Sequence, residues 1–507
     1  MSHYTRLSAL DRSFLDIEDR TAHMHVGATC IFDAAPLRTE SGGIDIERIR
    51  AHVASRLHLI PRYRQRLAWV PVEGHPVWVD DDRFNLNYHV RHTALPRPGS
   101  ERQLKRLSGR VFSQQLDRGK PLWEMWVVEG LDGDRFAVIN KVHHCMVDGI
   151  AGADLLGVLL TPEPEAATEA ARYWQPGRAP GGAELLRDAA ARRVGKPLGA
   201  AASFAAKAAR TPIQAIDELT EVSADVRDAL VAGARTASQT PLNDEIGAHR
   251  RFDWSSMRLD DIREVKNKGG GTVNDVVLAT VSGAVAKFFE HRGFQPNEQE
   301  DFEFRIFCPV GLARASGGRF VGNRVSALGI VAPIDVDSPR RRLEILRERT
   351  MNAKGSHQAE GLWLLETAFD WVAPSMMGIL DRLAARALTF NLVVTNVPGP
   401  QFPLYLVGAR MLEGYPLVPL FHRQGIGVAL LSYDGKLAWG FTADREVLPD
   451  LHDFMLCIDE SFAELRAAVG ATGATQSAAA TDTTDGDAPV RRPGRDGDRR
   501  PPDERLH

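Results

Sequence analysis

The residues with the clearest chemical potential lie in KVHHCMVDG, Lys141 to Gly149. Two adjacent histidines, His143 and His144, are followed by Asp148 and Gly149. An imidazole with a pKa near neutral can accept the proton of an alcohol. The aspartate can fix the loop, or the imidazole, by a hydrogen bond or a salt bridge, and the glycine allows a tight turn or close approach to a substrate. The pattern therefore predicts a general base with its supporting residues.

Two other interpretations of the histidine pair must be considered. A metal site needs three or four ligands with supporting outer contacts. Adjacent histidines on a strand point to opposite faces, and the chain contains neither an HExxH motif nor clustered cysteines. We therefore predict no metal site, whereas a buried structural corner stays open as an alternative.

The neighbouring segments predict where the histidines lie. Leu122 to Val128 and Arg135 to Val142 are typical strands, and Asp132-Gly133-Asp134 between them is a hairpin turn signal. The second strand leads directly into the histidine pair, and a helix is expected from Gly149 onward. Because side chains alternate along a strand, one ring should enter the core and the other a cleft.

The absence of several sequence motifs narrows the range of possible reactions. The chain has no GxSxG elbow, which disfavours a serine esterase. It also lacks a P-loop and a dinucleotide-binding glycine pattern, which disfavours nucleotide hydrolysis and hydride transfer. Without an evident nucleophile, the histidine is expected to activate a bound hydroxyl directly. The predicted reaction is acyl transfer in a ternary complex, without an acyl-enzyme.

Length and composition limit the class of protein. A chain of 507 residues suits two or three domains. A net charge of -4 argues against a general nucleic-acid binder, and four widely separated cysteines predict a reduced, cytosolic protein. The charged N-terminal segment does not resemble a signal peptide. No apolar run is long enough to span a bilayer, although peripheral membrane contact stays possible.

Alternating strand and helix signals predict an α/β chain with four regions. These are an N-terminal lobe (1–165), an Ala-rich helical crossover (166–241), a C-terminal lobe (242–469) and a disordered tail (470–507). The crossover is basic between Arg187 and Arg210. That stretch is either a solvated helical connection or a surface that contacts anionic lipid head groups.

Several motifs resemble one protein family. HHxxxDG is the signature of the CoA-dependent acyltransferase superfamily, which includes chloramphenicol acetyltransferase and peptide-synthetase condensation domains. LSALDRSFLDIEDRTAHMHVGA, Leu7 to Ala28, resembles the opening of bacterial wax ester synthase/diacylglycerol acyltransferases. Further similar stretches are Pro121-Leu122-Trp123, VNDVVLATVSGAV, CPVGLARASGGRFVGNRVSAL and NLVVTNVPGPQFPLYLVGARM. The resemblance covers about residues 4–468 and points to the actinobacterial triacylglycerol synthase branch.

The resemblance implies a fold and residue roles. The fold would be α/β, with two chloramphenicol-acetyltransferase-like lobes of mixed sheets, a helical crossover between them and a tunnel between the lobes. His144 would be the base, His143 would support it, and Asp148 beside Gly149 would be mainly structural. The superfamily's DFGWG element is not recognisable, and GFTADREVLPD (440–450) stands where it is expected.

The resemblance also implies the reaction and its partners. A long-chain acyl group would pass from acyl-CoA to diacylglycerol, or to a fatty alcohol, and no cofactor would be needed. The protein would be cytoplasmic and bound peripherally to the inner face of the membrane or to lipid inclusions. Two alternatives stay open: a lipid-surface binding protein with an idle acyltransferase fold, and a condensation-type enzyme that takes its acyl group from a carrier.

Two further motifs are predicted to bind substrate. The first is Pro121-Leu122-Trp123, where the rigid indole could line an apolar acyl tunnel, or could simply be a buried edge of the hairpin. The second is Asn274-Asp275, which follows a glycine run. It could hold the lobes at the site, although helix capping explains the same residues.

Overall fold

The computed structural model describes residues 4–147, 155–164, 170–192, 236–296, 299, 301–311, 325–355 and 388–471. Asp148 and Gly149, most of the predicted crossover and the predicted tail lie outside the described residues. The strands are β1 (Tyr4–Arg6), β2 (His25–Asp33), β3 (Gln65–Trp69), β4 (Pro76–Asp80), β5 (Val90–Ala94), β6 (Trp123–Leu131), β7 (Arg135–His143), β8 (Arg250–Arg258), β9 (Phe304–Gly311), β10 (Val325–Ala332), β11 (Leu392–Pro398), β12 (Tyr405–Leu406), β13 (Ala409–Leu417), β14 (Ile426–Tyr433) and β15 (Lys436–Asp444). The helices are α1 (Ala9–Ile17), α2 (Ile46–Arg56), α3 (Leu86–His89), α4 (Glu101–Phe112), α5 (Leu155–Leu159), α6 (182–192), α7 (Leu259–Gly269), α8 (Val273–His291), α9 (Pro339–Gly355) and α10 (Leu451–Ala468).

The first large sheet carries the histidine pair. Its strand order is β12-β13-β2-β7-β6-β5, and β5 runs parallel to β6 while the other neighbours are antiparallel. The hairpin β6–β7 turns at the predicted Asp132-Gly133-Asp134, where Gly133 and Asp134 have positive φ values of 69° and 56°. This confirms the hairpin that the turn residues predict. A separate sheet of three strands, β1-β4-β3, lies near the N-terminus.

The second large sheet belongs to the C-terminal half. Its order is β10-β9-β11-β14-β15-β8, with β11 parallel to both β9 and β14. Helices α8 and α10 pack against it, and Phe288 of α8 meets Phe454 of α10 edge to face. Most residues of α8 are buried, as expected for a helix that is apolar on nearly all sides.

The C-terminal half of the chain contributes two strands to the first large sheet. β12 and β13 lie late in the sequence, yet β13 pairs with β2 from Gly27 to Phe32 in the first sheet. The first sheet is therefore completed by two strands from the predicted C-terminal lobe.

Two glycines allow the sheets and helices to approach closely. A Cβ at Gly440 of β15 would lie 1.9 Å from the carbonyl oxygen of Pro416 in β13. A Cβ at Gly109 of α4 would lie 2.8 Å from the carbonyl oxygen of Arg250 in β8. The contact between the halves thus depends on positions without a side chain.

No single helix among the described residues is long and apolar enough to cross a membrane. The consecutive helices α7 and α8 together meet the length and apolarity requirement, but they meet at 95°. The side chains of α8 are largely used in the core.

We predict that Gly440→Ala lowers the free energy of unfolding by about 1–3 kcal/mol, because the new methyl group overlaps the Pro416 backbone. Urea unfolding at neutral pH measures the change. Gly181→Ala is the matched control, since a Cβ there meets nothing within 4 Å. Equal stability of the two variants would contradict the close approach of β13 and β15.

Candidate active site

The histidine pair is anchored through its backbone. β7 ends at His143, and a 3-10 turn follows over His144–Met146, called the histidine turn below. The amide of His143 donates to the carbonyl of Leu122 at 2.9 Å, and the amide of His144 donates to the carbonyl of Met24 at 2.8 Å. The end of β7 is therefore held from both neighbouring strands.

The His143 side chain caps the histidine turn. Its ring is fully buried, and Nδ1 accepts the amide proton of Cys145 at 3.2 Å. The other ring nitrogen, Nε2, faces Oε2 of Glu18 at 3.4 Å. His143 thus stabilises the turn that carries His144. Its supporting role in catalysis stays a prediction.

Glu18 lies at the centre of a buried group of charged and polar side chains. It is the C-cap residue of α1, and Arg118 donates to its Oε2 through Nη2 at 2.8 Å and Nε at 3.2 Å. Its Oε1 lies 3.4 Å from Nε2 of His25, which pairs with His143 across β2 and β7. We call Glu18, His25, His143 and Arg118 the Glu18 cluster.

The Glu18 cluster has a defined charge state. Burial alone would raise the pKa of the Glu18 carboxyl, but its contacts with His143, His25 and Arg118 outweigh burial and hold that pKa well below its ordinary value. Burial lowers the pKa of His25 far below its usual range, so its ring is neutral at pH 7. At neutral pH the cluster therefore contains a carboxylate, paired with the Arg118 guanidinium and facing His25 and His143.

His144 has a different environment from His143. Its ring stacks on Phe14 of α1, with centroids 3.9 Å apart and planes inclined by 25°. Nδ1 is buried and has no hydrogen-bond partner in the part of the chain that the structure describes. Burial lowers the pKa of His144 to about 4, and the neighbouring His143 acts in the same direction. The ring is therefore neutral at pH 7 and can accept a proton.

Cys145, between the histidine and the core, is unsuited to nucleophilic attack. Burial raises the pKa of its thiol well above the ordinary value, and the residue is 3% exposed. Reactive cysteines have lowered pKa values and accessible sulfur atoms. Cys145 therefore stays in its thiol form, as expected for a structural residue.

The predicted substrate-binding segment Pro121-Leu122-Trp123 lies in the core beside β7. Trp123 is fully buried, its indole N–H donates to the carbonyl of Tyr63 at 2.8 Å, and its ring stacks on His89 at 4.6 Å. Leu122, also fully buried, accepts the amide proton of His143. These contacts support the strand end, and a substrate contact of this segment stays a prediction.

The predicted Asn274-Asp275 pair opens α8. Asp275 forms a capping box with Thr272, and its Oδ1 accepts the Thr350 hydroxyl at 2.6 Å. The Asn274 amide lies 3.6 Å from the sulfur of Cys308. The described contacts of both residues stay within the C-terminal half and do not join them to the histidine turn, so their substrate role also stays a prediction.

The segment GFTADREVLPD connects the halves. The Asp444 carboxylate accepts the amide proton of Gly247 at 2.8 Å and pairs with Arg250 at 3.3 Å. Arg250 also donates to the carbonyl of Thr21, which precedes β2. This position thus ties β8 and β15 to the region of the Glu18 cluster.

Sequence reasoning did not identify Glu18, His25, Arg118 or Phe14 as site residues. Glu18 and Phe14 stand four residues apart in the opening segment, a spacing that places side chains on one helical face. His25 faces His143 only because β2 pairs with β7 over a long sequence separation. Among the described residues, no three His, Cys, Asp or Glu side chains are arranged to hold a metal ion.

Two models of one protein family match most of the chain. The wax ester synthase/diacylglycerol acyltransferase catalytic domain matches residues 7–277, and the WS/DGAT C-terminal domain matches residues 321–466. The probable diacylglycerol O-acyltransferase tgs1 of Mycobacterium tuberculosis is 33% identical over 475 residues, covering 90% of this chain and 95% of that protein.

Solved structures show the same architecture. The wax ester synthase/diacylglycerol acyltransferase from Marinobacter aquaeolei VT8 has a TM-score of 0.63 at 27% identity, with 92% of this chain and 100% of that chain covered. The first condensation domain of the calcium-dependent antibiotic synthetase, with a substrate analogue bound, has a TM-score of 0.54 at 16% identity, covering 92% and 97%. The mixed sheets and this likeness define a fold of the condensation-domain type, which confirms the predicted fold class. The chain belongs to the wax ester synthase/diacylglycerol acyltransferase family.

We predict that Glu18→Gln lowers the free energy of unfolding at pH 7 by about 1–3 kcal/mol, because Arg118 loses its buried anionic partner. The pKa of Glu18 is depressed in the folded protein, so its contribution is present above the unfolded value of about 4.3 and is lost as the pH falls below it. The difference between wild type and variant should therefore shrink on acidification.

Urea unfolding at pH 7 and at pH 3 measures both effects, because pH 3 lies between the depressed pKa of folded Glu18 and its unfolded value. Glu47→Gln is the control, since Glu47 also pairs with an arginine, but its side chain is 75% exposed. A Glu18→Gln variant as stable as the control at pH 7 would contradict the role of the buried carboxylate.

Proposed function

We propose that the protein transfers a long-chain acyl group from acyl-CoA to diacylglycerol, with His144 as the general base. The family of the chain and the diacylglycerol O-acyltransferase relatives support the reaction. The observation that carries the assignment of the base is the neutral imidazole of His144 on a turn fixed by His143. Fatty alcohols are a second class of acceptor, since the family description includes wax ester synthases.

The proposed step needs only one proton acceptor. Nε2 of His144 takes the hydroxyl proton as the acceptor oxygen attacks the thioester carbonyl carbon. The carbon–sulfur bond then breaks, and the thiolate of CoA receives the proton from the imidazolium. The ring starts neutral because burial keeps its pKa near 4, so no prior deprotonation is required. Direct transfer fits the buried thiol of Cys145, which supplies no alternative nucleophile.

Binding at a lipid surface is part of the proposal. Trp69 and Val72 lie at the turn of the β3–β4 hairpin and are 46% and 98% exposed. Helix α6 packs against the same small sheet through Leu185 and exposes the Arg187 side chain by 78%. Exposed aromatic and apolar side chains beside a cation suit a membrane interface with anionic head groups. We infer that this face binds the inner membrane surface or lipid inclusions.

We predict that His144→Ala reduces the rate of ester formation by about 100- to 10000-fold while the fold is retained. Cys145→Ala should keep a rate close to that of wild type, because direct transfer uses no acyl-cysteine. The assay supplies palmitoyl-CoA with diacylglycerol and with hexadecanol, and mass spectrometry quantifies triacylglycerol, wax ester and free CoA.

Each alternative has a distinct outcome in this assay. Near-normal turnover of folded His144→Ala would contradict the base. The absence of CoA release from wild type with any acceptor would favour an idle fold that binds lipid surfaces. A carrier-bound acyl donor that outcompetes palmitoyl-CoA would favour a condensation-type enzyme.

We predict that the double variant Trp69→Ser/Val72→Ser binds phosphatidylglycerol vesicles at least about tenfold more weakly, since two apolar side chains no longer enter the interface. Vesicle sedimentation at physiological ionic strength measures the binding. Phe402→Ser is the control, because Phe402 is 51% exposed but lies outside this hairpin. Equal losses in both variants would contradict the proposed surface.

A further inference from the structure

Helix α1 contacts both histidines of the pair. It begins at the Ser8 cap, which accepts the amide proton of Asp11 at 3.0 Å, and it ends at Glu18. Phe14 on α1 stacks on His144, and Glu18, four residues later, faces His143. The α1 segment therefore contacts both His143 and His144, which have different roles.

The stack on Phe14 is a described contact that restricts the plane of the His144 ring. Nδ1 of His144 has no hydrogen-bond partner among the described residues, so no described hydrogen bond of Nδ1 sets the rotation of the ring. Phe14 itself is held by apolar neighbours from two core clusters, which include Leu15 and Met24. A ring that is packed in this way can orient a second ring placed against it.

The end of α1 is also fixed. Arg118 donates to the carbonyl of Leu15 at 2.9 Å and binds the carboxylate of Glu18. The residue after Phe14 is thus tied to the Glu18 cluster, which in turn holds His143. The position of Phe14 is therefore restrained by the same ion pair that supports the histidine turn, in which Glu18 is buried and Arg118 is partly exposed.

We propose that Phe14 is a positioning residue for acyl transfer: its ring holds the imidazole of His144 in one plane and keeps water away from that face. The proposal rests on the function proposed above, in which His144 is the base. Water at this face would compete with the alcohol. Its oxygen would attack the thioester carbonyl, the carbon–sulfur bond would break, and a free fatty acid and CoA would form.

The pKa of His144 depends on how well its ring is shielded from water. Among the described residues, the charged and titratable groups that act on His144 and Cys145 include Asp11 and Glu18 from the α1 segment, Arg118, Arg62 and His143. Burial is the main cause of the lowered pKa of His144, and His143 adds to it. Removal of the Phe14 ring admits water, so the pKa of His144 should rise from about 4 towards its ordinary value of about 6.5.

The test compares Phe14→Ala, Phe14→Leu and Phe14→Tyr with wild type. Leu10→Ala is the control, since Leu10 lies one turn earlier on α1 and is 37% exposed. We expect Phe14→Ala to lower kcat by about 10- to 100-fold with a smaller change in KM, because the base is misplaced while substrate contacts remain. Phe14→Tyr should retain most of the wild-type kcat. Phe14→Leu should have an intermediate kcat, because leucine fills the space but has no planar ring.

Two readouts separate positioning from a loss of structure. The acid limb of kcat/KM should move to higher pH in Phe14→Ala, and the ratio of free fatty acid to ester should increase. Thermal unfolding reports whether each variant folds. If Phe14→Ala does not fold, the acid limb of kcat/KM and the product ratio are measured on Phe14→Leu instead. The proposal would be overturned if a folded variant had the same acid limb of kcat/KM and the same ratio of free fatty acid to ester as wild type.

The test also distinguishes this proposal from the proposed function. If His144→Ala is inactive and Phe14→Ala behaves as wild type, only the positioning role fails. If His144→Ala retains turnover, the assignment of the base fails first.

Discussion

A buried carboxylate is the constraint on which the site depends. Glu18 lies in the interior and is stabilised by Arg118, while its two oxygens face His143 and His25. An unpaired charge at this depth would be strongly unfavourable, so the surrounding residues must keep their positions as long as Glu18 is ionised. This one ion therefore fixes the end of α1, the register of β2 against β7 and the capping of the histidine turn.

The two histidines act differently because they meet different neighbours. His143 uses both ring nitrogens in polar contacts, one with the Cys145 amide and one with Glu18. His144 meets an aromatic ring instead, and burial keeps it neutral. The same side chain thus serves as a structural cap at one position and, in our proposal, as a proton acceptor at the next. The separation follows from the end of β7, where the strand gives way to a 3-10 turn.

Local sequence signals predicted the local structure around the site. The turn residues between Leu131 and Arg135 predicted the hairpin, and helix capping was an alternative for Asn274-Asp275, where Asp275 indeed closes a capping box at the start of α8. Helix α4 was not predicted, although Ser100 and Gln103 form a capping box at its start. The Glu18 cluster could not be read from the sequence, because it joins a helix end, two paired strands that are far apart in sequence and the loop after α4. The position of β13 in the first sheet is likewise decided by tertiary packing, since its partner β2 lies at the other end of the chain.

The charge state of His144 is the most direct test of this account. NMR titration of protein labelled with ¹⁵N-histidine, with His144→Gln used to assign the resonance, measures the pKa of that ring. The account predicts that the ring stays neutral down to about pH 5 and titrates near 4. An imidazole of His144 that is charged at pH 7, or that titrates near the ordinary value of about 6.5, would contradict a half-buried ring that is held neutral.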